Sequence, residues 1–170
     1  MEATHRLRVM RLVLYADSKE SDQVLVRRAF ERYGFTQNLI TVGDGDAVIA
    51  YLSGRGKYAD RDLFPLPALI VLETRLGGRV ARDLVQWIRF QKNLRKIPIV
   101  IFSSWEMSSD IQEAYNIGVN SYIVKASDPK AFESQVRRVI DFWLRFNVTE
   151  GKIPAGLEVP PPGLEKNQRN

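Results

Sequence analysis

Apolar positions along the chain follow two alternating rhythms. Five stretches are short and rich in Val, Ile and Leu: VMRLVLYA (9–16), QNLITVG (37–43), ALIVLE (68–73), KIPIVIFSS (96–104) and NSYIVK (120–125). Runs of this length predict strands, and ALIVLE, apolar at consecutive positions, predicts one buried on both faces. Between the runs, apolar residues recur at helical spacing. In 17–34 the repeat passes near Val24, Leu25, Arg28, Ala29 and Tyr33 and stops at Gly34. In 44–54, Asp44 is placed to cap a helix and Gly54 to end it. The stretch 79–93 carries Val80, Leu84, Trp87, Ile88 and Gln91. In 108–118, Ser109 and Gln112 have the spacing of a capping box, and Gly118 is the stop. The last helix is predicted over 128–147, with Asp128 at the cap and Pro129 at the first helical position. Its apolar stripe is Phe132, Val136, Val139, Ile140, Trp143 and Leu144.

Strand–helix pairs in alternation predict an α/β fold: a five-stranded parallel sheet between two helix layers, joined by right-handed crossovers. The connection 55–67, RGKYADRDLFPLP, is long, polar and Pro-containing. The predicted division is an arm over 1–8, a domain over 9–148 and a tail over 149–170. The tail has four Pro, three Gly and no periodicity, so a disordered or loosely docked extension is expected.

Composition narrows the classes. A chain of 170 residues with 45% hydrophobic and 26% charged residues suits one globular domain with its own core. The lack of cysteine removes disulfides, thiolate metal sites and cysteine nucleophiles. No apolar run reaches membrane-spanning length, and the basic start has no small-residue cleavage site, so neither membrane nor signal peptide is expected. The expected location is cytoplasmic, where the NVT sequon at 147–149 has no use. The net charge of +5 is spread through RLRVMR, VRR, QKNLRK and QVRRV. It reads as solvated helix faces rather than a nucleic-acid footprint, with weak attraction to anionic partners left open.

Candidate chemistry lies in the residues at and just after each strand end. In an open parallel sheet, ligands gather outside the carboxyl ends of the strands, where strand order reverses. Asp17 and Ser18 come after the first run, Thr74 and Arg75 come after Glu73 at the end of the third, Ser103 and Ser104 close the fourth, and Lys125 ends the fifth. In the order 2-1-3-4-5, two acids, a hydroxyl and an amine would converge. Carboxylates hold a hard divalent ion; a hydroxyl and an ammonium hold phosphoryl oxygens. Taken singly, Asp17 reads as a helix cap paired with Glu20, the serines as a turn and Lys125 as a surface lysine. Glu73 resists such a reading, because an acid directly after ALIVL needs a partner or an exposed rim.

With LRKIPIVIFSS, DIQEAYNIGVNSYIVK and FWLRFN as its most specific parts, the region 9–147 resembles the receiver domain of two-component response regulators, the CheY-like family. The resemblance points in particular to stand-alone receivers that serve phytochrome-type histidine kinases. It implies a flavodoxin-like (βα)5 fold in strand order 2-1-3-4-5 and no enzymatic activity. In that family the third strand ends in an Asp that accepts a phosphoryl group; here that position is Glu73. Two acids at the end of the first strand bind Mg2+; here they are Ala16 and Asp17. The metal-binding backbone carbonyl maps to Arg75, the hydroxyl that senses the phosphoryl group to Ser103, and the conserved lysine to Lys125. That lysine is followed by Ala126 where the family has Pro. The aromatic residue that reports activation maps to Tyr122, and the Pro-Gly turn to Gly77–Gly78.

These departures carry the functional expectation. Glu73 is one methylene longer than Asp, and in-line phosphoryl transfer needs tight positioning. Without an acid at position 16, a Mg2+ site made of Asp17, Glu73 and Arg75 is weakened or lost. The expected protein is a pseudo-receiver that requires no cofactor and acts through protein contacts. Glu73 would reach Lys125 or approach Ser103, holding one state, active-like or inactive, of the face made by the fourth helix, fifth strand and fifth helix. The alternative is a Mg2+-dependent phosphoacceptor regulator. A remoter one is a flavodoxin-like FMN-binding protein, although ADSKESD lacks the glycines of a phosphate cradle and its acids repel phosphate. A hydrolase fits poorly, since SSW and His5 supply no nucleophile–base pair. Expected partners are a histidine kinase, a phosphotransfer protein or an output protein, with no nucleic acid and no membrane. Phe142, Trp143 and Phe146 crowd the last helix, and one aromatic is left over from its core stripe, so a homodimer through this end is expected.

Overall fold

The computed structural model describes residues 11–148; the predicted arm over 1–8 and tail over 149–170 lie outside the described residues. In chain order the elements are β1 (Val13–Ala16), α1 (Glu20–Arg32), β2 (Leu39–Val42), α2 (Gly45–Ser53), β3 (Leu69–Leu72), β4 (Arg75–Leu76), β5 (Arg79–Val80), α3 (Ala81–Phe90), β6 (Ile99–Ser103), α4 (Ser108–Asn116), β7 (Ser121–Val124) and α5 (Pro129–Ile140). The main sheet is parallel in the order β2-β1-β3-β6-β7, which is the predicted 2-1-3-4-5.

The unbroken apolar runs became the three central strands, buried throughout, while β2 and β7 take the half-covered edges. Successive residues face opposite layers. Leu14, Ala16, Ile70, Leu72, Ile99 and Ile101 pack with α2 and α3; Val13, Tyr15, Leu69, Val71, Val100 and Phe102 pack with α1 and α5. The long connection 55–67 is anchored rather than free. Tyr51, Tyr58 and Phe64 meet edge to face, and Arg61 donates to the Tyr51 and Leu52 carbonyls at the end of α2.

Four local expectations are corrected. The helix predicted over 79–93 spans only Ala81–Phe90, because residues 79–80 pair backwards with 75–76 in a hairpin. Gly77 and Gly78 form its turn at φ +52° and +89°, the two positive values a tight two-residue hairpin needs. A side chain at Gly77 would meet the Asp44 Cβ at 2.9 Å, so the hairpin sits hard against the start of α2. Arg79 adds an ion pair to Asp46 at 2.6 Å there. The last helix does not stay α-helical: after Ile140 it widens into a π-helical turn over Asp141–Phe146. Ser109 caps nothing, since α4 already starts at Ser108 behind Met107 with no side-chain cap. Asp17 is not the cap of α1 either; Lys19 holds that position and the Asp17 carboxylate turns toward the sheet edge.

The other two caps form as the sequence suggests. Asp44 accepts from the Ala47 N–H at 2.7 Å and Asp128 from the Ala131 N–H at 2.8 Å. Asp44→Ala and Asp128→Ala should each cost about 1 kcal/mol in urea unfolding. Ser109→Ala should stay within about 0.5 kcal/mol of the parent.

Candidate functional site

Parallel register brings the strand ends to one rim. Ala16 pairs with Val42 on one side and Leu72 on the other, so Asp17 and Glu73 leave adjacent strands at one level. The Glu73 N–H donates to the Ala16 carbonyl at 2.9 Å, and the Lys125 N–H donates to the Ser103 carbonyl at 2.8 Å. Asp17, Glu73, Ser103 and Lys125 therefore share the rim that the sequence predicts.

Their side chains form a closed charge cluster. The Lys125 ammonium donates to Asp17 Oδ2 at 2.5 Å, to Glu73 Oε2 at 2.7 Å and to Asp22 Oδ2 at 3.0 Å. Its side chain is 3% exposed, against 1%, 13% and 8% for the three acids. The surface-lysine reading of Lys125 is thus corrected: its stem runs inward, with the ammonium 5.6 Å from the centre of the Phe102 ring. The remaining carboxylate oxygens have local donors. Asp17 Oδ1 takes the Lys19 N–H, Asp22 Oδ1 takes Ser21 Oγ and faces the Lys19 ammonium, and Glu73 Oε1 takes both the N–H and hydroxyl of Thr74. Tyr15 donates its hydroxyl to Asp17 Oδ2 at 2.6 Å.

Burial opposes the charges of Glu73, Asp22 and Lys125, and pairing outweighs it. Glu73 and Asp22 are desolvated, yet hydrogen bonds and charge from Lys125 hold both carboxyls below their ordinary values. Lys125 is desolvated too, and its bonds to Asp17 and Glu73 hold its ammonium above the ordinary lysine value. Burial, then the charge of Asp17, pushes the Tyr15 hydroxyl far up, so Tyr15 serves as a donor.

Beyond the cluster, hydroxyls lead outward. Thr74 and Ser103 share a hydrogen bond at 2.8 Å, so Glu73 meets Ser103 through Thr74. Ser103 Oγ accepts from the Trp105 N–H at 3.2 Å, and the Tyr122 hydroxyl donates to the Trp105 carbonyl at 2.9 Å. Arg75 lays its guanidinium 4.8 Å from the Trp105 ring centre. Tyr122 and Arg75 therefore belong to the wall of the site, joined to Glu73 through the segment after β6, and Ser104 is exposed.

Sequence reasoning missed Asp22, Tyr15 and Thr74 as partners. Asp22 is a buried acid in the first turn of α1, where an acid also suits the helix dipole, so its position alone carries no distinguishing signal. Tyr15 is a polar-tipped residue in an otherwise aliphatic run, a signal that was available.

The divalent ion that the resemblance implies can be tested on donor chemistry. Each of the six carboxylate oxygens already accepts from a donor, and the centre between them holds the ammonium. The Arg75 carbonyl accepts from Ser18 Oγ at 3.4 Å. Among the described residues no group of three His, Cys, Asp or Glu is arranged for a metal ion. As placed, these side chains do not fit one. The flavin alternative fares no better, because the segment after β1 turns Asp17 inward beside Asp22 instead of opening a cradle of N–H groups toward a phosphate.

No protein-family model matches the chain. The probable methanogenesis regulatory protein FilR2 of Methanothrix harundinacea is 29% identical over 143 residues, covering 82% of this chain and 88% of FilR2. Response regulator Rcp1 of Synechocystis is 27% identical over 134 residues, covering 79% and 89%. The crystal structure of its Mn2+-bound form matches with a TM-score of 0.73 at 25% identity, over 82% of this chain and 98% of that one. The bacteriophytochrome response regulator RtBRR is 30% identical, with a TM-score of 0.65 over 91% of this chain and 86% of that one. Sheet order, rim residues and these likenesses agree: the chain belongs to the response-regulator receiver family, is CheY-like, and stands close to the phytochrome-associated regulators.

Proposed function

We propose that this response regulator of two-component signalling works as a pseudo-receiver, without cycling through an acyl phosphate. The observation that carries this reading is the state of Glu73. One of its oxygens is held by Thr74 and the other by Lys125, so the carboxylate is bonded at both ends before any phosphoryl group arrives. In-line transfer needs the acceptor, the phosphoryl group and a cation within tight tolerance. Here the acceptor is long and already bonded, and the cation's place is taken. The protein then has no catalytic or cofactor-dependent step of its own. It acts by contact with a histidine kinase, a phosphotransfer protein or an output protein in the cytoplasm, without nucleic acid or membrane. Among the described residues no helix is long and apolar enough to cross a membrane.

The competing reading is a metal-dependent phosphoacceptor, and the Mn2+-bound form of its relative Rcp1 favours it. Incubation with acetyl phosphate and Mg2+ separates the two. The intact mass should stay unchanged; a gain of one phosphoryl group on residue 73 establishes the competing reading.

The contact surface proposed for a homodimer is the aromatic end of the chain. Trp143 is partly buried against the α1–α5 core, whereas Phe142 is 52% exposed and Phe146 75%, so two aromatics rather than one are left over. Both lie in the π-helical turn, and Val148, two residues after Phe146, is exposed as well. In sedimentation velocity the parent should run as a dimer and Phe142→Ser/Phe146→Ser as a monomer. A parent that remains monomeric at high concentration rejects this interface.

The charge cluster also sets a pH profile. Carboxyls lowered from 4.5 (Glu73) and 3.8 (Asp22) contribute stability that is present above those values and lost as pH falls through their folded values. A lysine raised from 10.5 contributes stability that is present below that value and lost as pH rises through its folded one. Urea midpoints should therefore hold a plateau between the ordinary carboxyl and lysine values and fall on both sides. Glu73→Gln should shrink the acid limb; an acid limb equal to the parent's would exclude Glu73 from the cluster in solution.

A further inference from the structure

We propose that the cleft between α3 and α4 binds a small zwitterion: an apolar body with one carboxylate and one ammonium, as in a free amino acid with a large apolar side chain. The cleft lies outside the charge cluster, and its occupancy does not depend on whether residue 73 takes a phosphoryl group.

The cleft holds about 300 Å3. That is the lower end of the roughly 300–1,000 Å3 of small-molecule sites, so the ligand is small. Its floor is apolar, made by Ala81 of α3, Ile101 of β6, Ala114 of α4 and Ile117 just after α4. Trp105 and Tyr122 add aromatic walls. Thr74 is the wall shared with the charge cluster, and its hydroxyl is committed there, to Glu73 and Ser103. Arg82 of α3 and Glu113 of α4 also line the cleft, and their ion pair at 2.9 Å spans the two helices.

Two charges in the cleft have no such partner. Arg75 lies with its guanidinium 4.8 Å from the Trp105 ring centre. Stacking of this kind occupies the face of the guanidinium and leaves the N–H donors on its edge for a carboxylate. Asp110 lines the same cleft from the first turn of α4, half-buried. Among the described residues neither Arg75 nor Asp110 makes an ion pair, with each other or with a third group.

These charges select the ligand. A simple anion drawn to Arg75 meets Asp110 and Glu113 in the same cleft, and a simple amine drawn to Asp110 meets Arg75 and Arg82. Like charge at one end works against each of them. A zwitterion satisfies both ends. Its carboxylate takes the fork of Arg75, its ammonium takes Asp110, and its apolar side chain covers the floor. A ligand held by Arg75 also lies against Trp105, whose N–H and carbonyl are bonded to Ser103 and Tyr122. Occupancy would therefore fix the segment between β6 and α4.

The test titrates the full chain with L-phenylalanine and L-leucine by calorimetry, with backbone amide NMR shifts reporting the place. Each amino acid should bind at one saturable site, with shifts centred on residues 74–82 and 105–117. Phenylpropionate, which lacks the ammonium, and phenethylamine, which lacks the carboxylate, should each bind about 10-fold more weakly than phenylalanine. Arg75→Gln and Asp110→Asn should each weaken phenylalanine by a similar factor, and in a charge-specific way. Arg75→Gln should bind phenylalanine no better than phenethylamine, and Asp110→Asn no better than phenylpropionate, a pattern that a merely loosened cleft would not give. Should either variant fail to fold, the two ligands that lack one charge decide the matter on the parent chain. Absence of saturable binding by both amino acids overturns the inference, as do shifts confined to other regions. So does equally tight binding of N-acetylphenylalanine amide, which carries neither charge and would mark the cleft as a seat for a peptide side chain.

Discussion

The structure turns on one imbalance: three carboxylates and a single ammonium withdrawn together from water. Removing one partner from such a buried group typically costs about 3–5 kcal/mol, because the charge left behind has neither solvent nor counter-ion. The cluster therefore constrains far more than its own side chains. Asp17 leaves β1, Glu73 leaves β3, Lys125 follows β7 and Asp22 rides on α1. A slip of one residue in any of these pairings would turn an acid or the amine toward the wrong layer. The register that puts Ala16 level with Leu72, and Ser103 level with Val124, is what lets the four meet. Apolar burial holds the sheet together; the cluster selects one alignment of it.

Glu73 connects this closed centre to the surface. Its second oxygen is bound by Thr74, Thr74 bonds Ser103, and Ser103 receives the Trp105 N–H. Tyr122 and Arg75 then hold Trp105 from two further sides, by a hydrogen bond to its carbonyl and by the guanidinium near its ring. The segment between β6 and α4 is thus tied to the acid by short, directional contacts. Glu73 thus reaches Thr74 with one oxygen and Lys125 with the other, which ties this wall to the charge cluster.

Physical reasons decide which features the chain displays in its sequence. The sheet was legible because strands buried on both faces must be apolar at consecutive positions, and ALIVL and IPIVIF are. The rim was legible because polar residues directly after such runs must lie at strand ends. The hairpin at 75–80 was not read as structure, because two-residue strands have no period to detect; only the paired glycines marked it. The π-helical turn was hidden because Phe142 and Phe146, four apart, look the same in an α-helix. Asp22 was hidden for a deeper reason. Its meaning depends on a lysine 103 positions away, and only the crossover topology brings that lysine over the start of α1.

Under the proposed pseudo-receiver reading, a cluster whose acids and amine already satisfy one another has a consequence for signalling: contacts with other proteins, rather than phosphoryl or metal uptake at the rim, would carry the information, and the surfaces for them would lie away from the rim. The exposed aromatics Phe142 and Phe146 would meet that requirement. They sit beyond the last turn of α5, on a widened helix whose backbone is held by Arg11 through the Leu144 and Asn147 carbonyls. Arg11 lies two residues before β1, so the segment that delivers Asp17 at one end also holds the aromatic turn at the other.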